Sequence, residues 1–71
     1  MTDDTLTIGF SNLSETIPFA VTVREGLESA MSKHPNIRLM VRDNDFDNDR
    51  AMQNAREFLD MPVDLAIIFH I

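Results

Sequence analysis

The feature of this sequence that most restricts its fold is a hydrophobic period that switches back and forth between two and about 3.6 residues. Leu6, Ile8 and Phe10 alternate with Thr5, Thr7 and Gly9, as the residues of a pleated strand do. From Phe19 the apolar positions fall at helical spacing through Val23, Leu27, Ala30 and Met31, to about Lys33. Alternation returns where Ile37, Leu39 and Val41 are set against Arg38, Met40 and Arg42, a strand expected at a sheet edge. A second helical stripe follows in Ala51, Met52, Ala55, Phe58 and Leu59. The run from Val63 to Ile71, apolar apart from Asp64 and His70, reads as a strand buried on both faces. The element order is β-α-β-α-β.

A helical crossover between consecutive strands implies parallel pairing, and crossovers of this kind are right-handed. The expected fold is therefore α/β: a three-stranded parallel sheet in the order 2-1-3, the first strand central, with helices on both faces. The strands then end together, so the loops after Phe10, Arg42 and Ile71 meet at one edge. In open sheets of this class small ligands bind outside the carboxyl ends of the strands.

Local signals mark the element ends. Gly9 permits close approach of a neighbouring backbone. Pro18 suits the first turn of a helix, with Thr16 as its cap, and His34-Pro35-Asn36 ends that helix. Asp47 caps the second helix, Asp49 favours its positive end, and Met61-Pro62 closes it. Met1 to Asp4 reads as a solvated start.

Seventy-one residues allow one domain, and a chain of this size buries about 60% of the surface its unfolded form exposes. With 44% apolar and 25% charged residues the composition is that of a folded globular chain. Twelve acidic residues against six scattered basic ones, a net charge of −6, lack the footprint of a nucleic-acid binder. No cysteine is present, so disulfides and thiolate metal sites are excluded. The longest uninterrupted apolar run, Leu65 to Phe69, is too short to span a membrane, and no charged-then-apolar leader precedes Asp3. Neither membrane insertion nor an export signal is expected in this chain.

Asp43, Asp45, Asp47 and Asp49 alternate like the ligands of a calcium loop. Such a loop needs glycine at its sixth position and a bidentate Glu at its twelfth, where this chain has Asn48 and Asn54. A solvated loop with a helix cap is the better reading. His34 and His70 have no carboxylate partner at ligand spacing, although His70 sits at a strand end facing the expected crevice. No Ser-His-Asp order and no glycine-rich phosphate loop is present, and a receiver domain would carry its acidic pair after the first strand, where Asp3 and Asp4 instead precede it. Catalysis is not expected, nor a cofactor.

A resemblance appears once these segments are read together. A strand ending in Ser11-Asn12, a helix opening with Pro18-Phe19 and carrying Arg24-Glu25-Gly26-Leu27-Glu28, a second strand ending in Asp43-Asn44 and a helix containing Gln53-Asn54 resemble the amino-terminal lobe of ribose- and galactose-type periplasmic sugar-binding proteins. The same lobe, Rossmann-like or flavodoxin-like in its layout, occurs in repressors of the lactose-repressor kind. The likeness covers nearly all of Thr5 to Ile71.

The resemblance implies roles for particular residues. Ser11 and Asn12 would contact sugar hydroxyls, Phe19 would stack on the sugar ring, and Asp43 and Asn44 would lie beside the cleft. The family's second aromatic is Ala20 here, and its frequent Asn before the proline is Ile17, which departs from the usual pentose or hexose site. A sugar offers directed hydroxyls and one weakly apolar face, so polar side chains beside a flat ring are the right types. Ser11 and Asn12 also suit a turn or helix cap, and Phe19 at helical spacing with Val23 also suits a core; both readings stand at this point.

Family members use two lobes, and residues 1–71 correspond to a single partial domain, the first half of one lobe. The expectation is a fragment of the solute receptor of an ABC-type importer, periplasmic in its parent, with weak or absent binding alone. A repressor's ligand-binding core, cytoplasmic in its parent, or a self-assembling fragment without a ligand are the alternatives. The outer edge of the third strand, where the family has another strand, is expected to be covered by homodimerisation, with or without a domain swap, that buries Leu65, Ile67 and Phe69 or extends the sheet.

Overall fold

A computed structural model of the protein describes residues 5–61 and 63–71. The solvated start read into Met1–Asp4 and the closing role of Pro62 lie outside the described residues. The order is β1 (Leu6–Asn12), α1 (Pro18–Met31), β2 (Ile37–Asp43), α2 (Asn48–Asp60) and β3 (Leu65–Ile68). The sheet is parallel throughout, in the order β2-β1-β3.

Register fixes which side chains share a face. Leu6, Ile8 and Phe10 of β1 lie beside Ile37, Leu39 and Val41 of β2, while Gly9 and Ser11 lie beside Met40 and Arg42. The second set faces α2. A Cβ on Gly9 would stand 2.7 Å from the Phe58 ring, and Asn54 of α2 donates to Ser11. The first set faces α1, where Asn12 donates to the Ala20 carbonyl. The helices thus cover opposite faces of the sheet, as right-handed crossovers require.

Gly9 serves packing, but the close neighbour is the Phe58 ring and not a backbone. That ring is 1% exposed and fills the space a side chain at position 9 would occupy. Its burial contributes about 1.5–3 kcal/mol. Arg42 lies over the same ring, 5.9 Å from its centroid, with Nε 3.4 Å from Glu57.

At three further places the structure differs from the sequence expectation. Thr16 does not cap α1: the N-cap position is Ile17, which makes no side-chain cap bond, because Pro18 itself opens the helix. The hydroxyl of Thr16 instead pairs with Ser14 Oγ at 2.7 Å. On α2 the buried positions are Ala51, Asn54 and Phe58, whereas Met52 and Leu59 of the expected stripe are 56% and 79% exposed. The final run forms a strand only over Leu65–Ile68, and Leu65, Ala66 and Ile68 are exposed. The reason is topological: β3 pairs with β1 alone, and α1 packs over β1 and β2 without reaching β3. Asp47 does cap α2, accepting the backbone N–H groups of Asp49 at 2.8 Å and Arg50 at 3.2 Å. Among the described residues, no helix is long and apolar enough to cross a membrane.

Candidate functional site

The three strands end together, and their carboxyl edge is built on buried amides. β1 continues past its apolar alternation through Ser11 and Asn12, and Asn44 follows directly on β2. Ser11, Asn12 and Asn44 are each 0% exposed. Side chains of this polarity tolerate such burial only when their hydrogen-bonding capacity is met.

Asn44 meets it most completely. Its Oδ1 accepts from Ser11 Oγ and from Asn54 Nδ2, the latter at 3.0 Å. Its Nδ2 donates to the Phe69 carbonyl at 3.1 Å and reaches His70 Nδ1 at 3.4 Å. Its backbone N–H donates to the Asn12 carbonyl at 2.7 Å. One residue thereby joins the ends of β1 and β2, the segment after β3, and α2. His70 Nε2 in turn meets Asn48 Oδ1 at 2.7 Å, so the ring ties the segment after β3 to the first turn of α2.

Asn54 completes the cluster from α2. Its Nδ2 also lies 3.1 Å from the Asp43 carbonyl and 3.2 Å from Ser11 Oγ. Sequence reasoning singled out the other members and missed this one. The signal was present: Asn54 falls three residues after Ala51 and four before Phe58, a polar residue on an apolar stripe.

On the opposite face Asn12 holds the β1–α1 loop. Its Oδ1 accepts from Leu13 N–H at 3.0 Å, and its Nδ2 donates to the Ala20 carbonyl at 3.2 Å and to Glu15 Oε2 at 2.5 Å. Glu15 also receives Arg24 Nε at 2.9 Å, and Arg24 Nη1 reaches Glu28 at 2.6 Å. Desolvation works against the Arg24 charge, but Glu15 and then Glu28 outweigh it and hold the guanidinium above its ordinary value.

What this edge presents to solvent is aromatic and acidic. Phe19, in the first turn of α1, is 67% exposed and meets Phe69 edge-on, with centroids 6.1 Å apart and planes at 80°. Asp43 is half-buried, its carboxylate accepting the Asp45 N–H at 2.8 Å. Asp45 and Phe46 both adopt positive φ, 52° and 54°, and Phe46 is 56% exposed. Together with Asp47, Asn48, Asp49 and Ile71 they line an open hollow of about 600 Å³.

The five residues singled out from sequence are thus divided between two depths. Ser11, Asn12 and Asn44 form a buried frame whose side chains bond to the protein itself, while Phe19 and, in part, Asp43 reach solvent. Among the described residues no buried side-chain polar atom lacks a partner, and no three His, Asp or Glu side chains are grouped to hold a metal. No protein-family model matches the chain, and neither a curated protein nor a solved structure does.

Proposed function

We propose that this chain is a solute-recognition element, the first half of a lobe like those of ribose- and galactose-type sugar-binding receptors, acting by binding and not by catalysis. The observation that supports this reading is the exposed ring of Phe19 above a fully satisfied amide frame at the carboxyl edge of the sheet. An apolar ring two-thirds exposed contributes little to folding where it stands. A flat apolar surface beside polar loops suits the weakly apolar face of a sugar.

In this arrangement the residues act in two ways. Phe19 and Asp43 touch the solute, the first by stacking and the second by accepting from a hydroxyl. Ser11, Asn12 and Asn44 keep the loops that carry them from moving, with Asn54 as their support from α2. A rigid frame lowers the ordering cost of binding, which matters most where few contacts are available. With one wall of a site, affinity is expected at about 1 mM or weaker, roughly −4 kcal/mol.

The test is an NMR titration of the chain with a panel of pentoses and hexoses, following the ring signals of Phe19 and Phe69. Binding predicts saturable shifts of both rings, lost in Phe19→Ala, whose fold circular dichroism should show intact. Ring signals that stay fixed for every sugar at tens of millimolar would reject the reading.

A further inference from the structure

The flank of β3 differs from every other boundary of the sheet. The segment Leu65–Phe69 carries no charged side chain, and Leu65 and Ile68 are 53% and 41% exposed. Met52 and Leu59 of α2 overhang the same side. They line two open grooves, one of about 400 Å³ against Ile68 and one of about 350 Å³ against Leu65 and Ala66. An uncharged edge with apolar side chains about it is a template for pairing with another strand.

We propose that the outer edge of β3 is a self-association interface, occupied by β3 of a second copy running antiparallel about a two-fold axis at Ala66. Three observations select this occupant and this axis.

The first is charge. A two-fold contact places a surface against itself, so a charge on the axis meets its own copy, and two like charges placed symmetrically about the axis meet each other. At the opposite boundary, β2 carries Arg38 and Arg42, and self-pairing centred between them would set one arginine against the other. β3 has no such conflict.

The second is backbone direction. The Phe69 N–H donates to the Ser11 carbonyl of β1 at 2.9 Å. Alternate residues of a strand present their amides to opposite sides, so those of Leu65 and Ile67 also face β1, and those of Ala66 and Ile68 point outward. Antiparallel pairing about Ala66 lets Ala66 exchange both backbone bonds with Ala66 of the second copy.

The third is size. The axis then falls at a hydrogen-bonded pair of identical residues whose side chains stand directly opposite one another, and Ala66 is the smallest residue of β3. The result is a continuous six-stranded sheet in which Met52 and Leu59 face the neighbouring copy across the axis on the α2 side. This association does not depend on solute recognition, because the carboxyl edges of the two copies point in opposite directions.

The test uses the absence of natural cysteine. Across the axis the Cα atoms of the Ala66 pair are expected about 5.5 Å apart, within the span of a disulfide. Sedimentation of the wild-type chain should show a dimer at micromolar concentration. Under a glutathione redox buffer Ala66→Cys should become a covalent dimer, while Arg38→Cys at the β2 edge should not. Ala66→Lys, at an exposed position, should stay folded by circular dichroism and weaken association roughly tenfold or more. A wild-type chain monomeric throughout would overturn the proposal. So would a wild-type dimer with no cross-link through Ala66→Cys, or a folded Ala66→Lys chain that associates as tightly as wild type. Should Ala66→Lys unfold, the cross-linking pair decides alone.

Discussion

The carboxyl edge of the sheet and the flank of β3 invert the usual distribution of polarity. At the edge, Ser11, Asn12, Asn44 and Asn54 are buried; on the flank, Leu59, Leu65 and Ile68 are exposed. The two regions spend the chain's resources differently. The edge gives up hydrophobic burial for a set of directed bonds that admits one arrangement. The flank leaves apolar surface uncovered, at about 25 cal/mol for each Å² that could still be buried. Specificity is therefore concentrated at one end of the sheet, and capacity for association along one side.

The buried edge is most vulnerable at Asn44. Asn44→Ala removes the acceptor of Ser11 and Asn54 and the donor to Phe69 and His70. With buried partners left unpaired, a loss of about 3–5 kcal/mol is expected, enough to unfold a domain this small, as read by urea denaturation. Gly9→Ala comes next. Its Cβ would enter the Phe58 ring, so a loss of about 1–3 kcal/mol is expected at the calorimetric midpoint.

Asp47→Ala removes the cap of α2 and should lower stability by about 1 kcal/mol, while Thr16→Ala, outside the cap of α1, should cost less. The difference between the two midpoints checks whether the capping asymmetry is real. At the small end, Leu59→Gln on the exposed flank should change monomer stability by no more than about 0.5 kcal/mol. Its effect should appear in sedimentation, as weaker self-association. A large loss of monomer stability from Leu59→Gln would mean that the flank is part of the core, and the contrast drawn above would fail.

Much of this fold is legible in the sequence because its rules are local or topological. The alternation of Leu6, Ile8 and Phe10, the helical stripe through Phe58 and the handedness of crossovers suffice for the order β2-β1-β3. Asp47 is legible as a cap because an Asp before a helix has few competing uses. What is not legible depends on what stands opposite. An apolar run such as Val63 to Ile71 reports that burial suits it, not that burial is supplied. Met52 and Leu59 keep helical spacing with the core while facing a side where no element lies.

The site was legible by residue type and not by depth. Ser11 and Asn12 read equally as contacts or as turn chemistry, and it is the amides of Asn44 and of Asn54 on the facing helix that hold Ser11 inward. Phe19 read equally as core or platform; its exposure follows from the distance of α1 from β3. Asn54 was obscured because an asparagine within an amphipathic helix passes for an ordinary surface residue until its position on the stripe is counted.

The Asn44 amide has a consequence for the alignment of the strands. Parallel ladders repeat every two residues, so β1 could slide along β2 by two positions and keep its apolar face toward α1. Such a slip costs little in hydrophobic terms, since Leu6, Ile8 and Phe10 would meet near-equivalent neighbours. It would, however, carry Ser11 away from Asn44 and strand both in the interior. The amide cluster therefore acts as an index mark, making one alignment of a repetitive pattern distinguishable from the next.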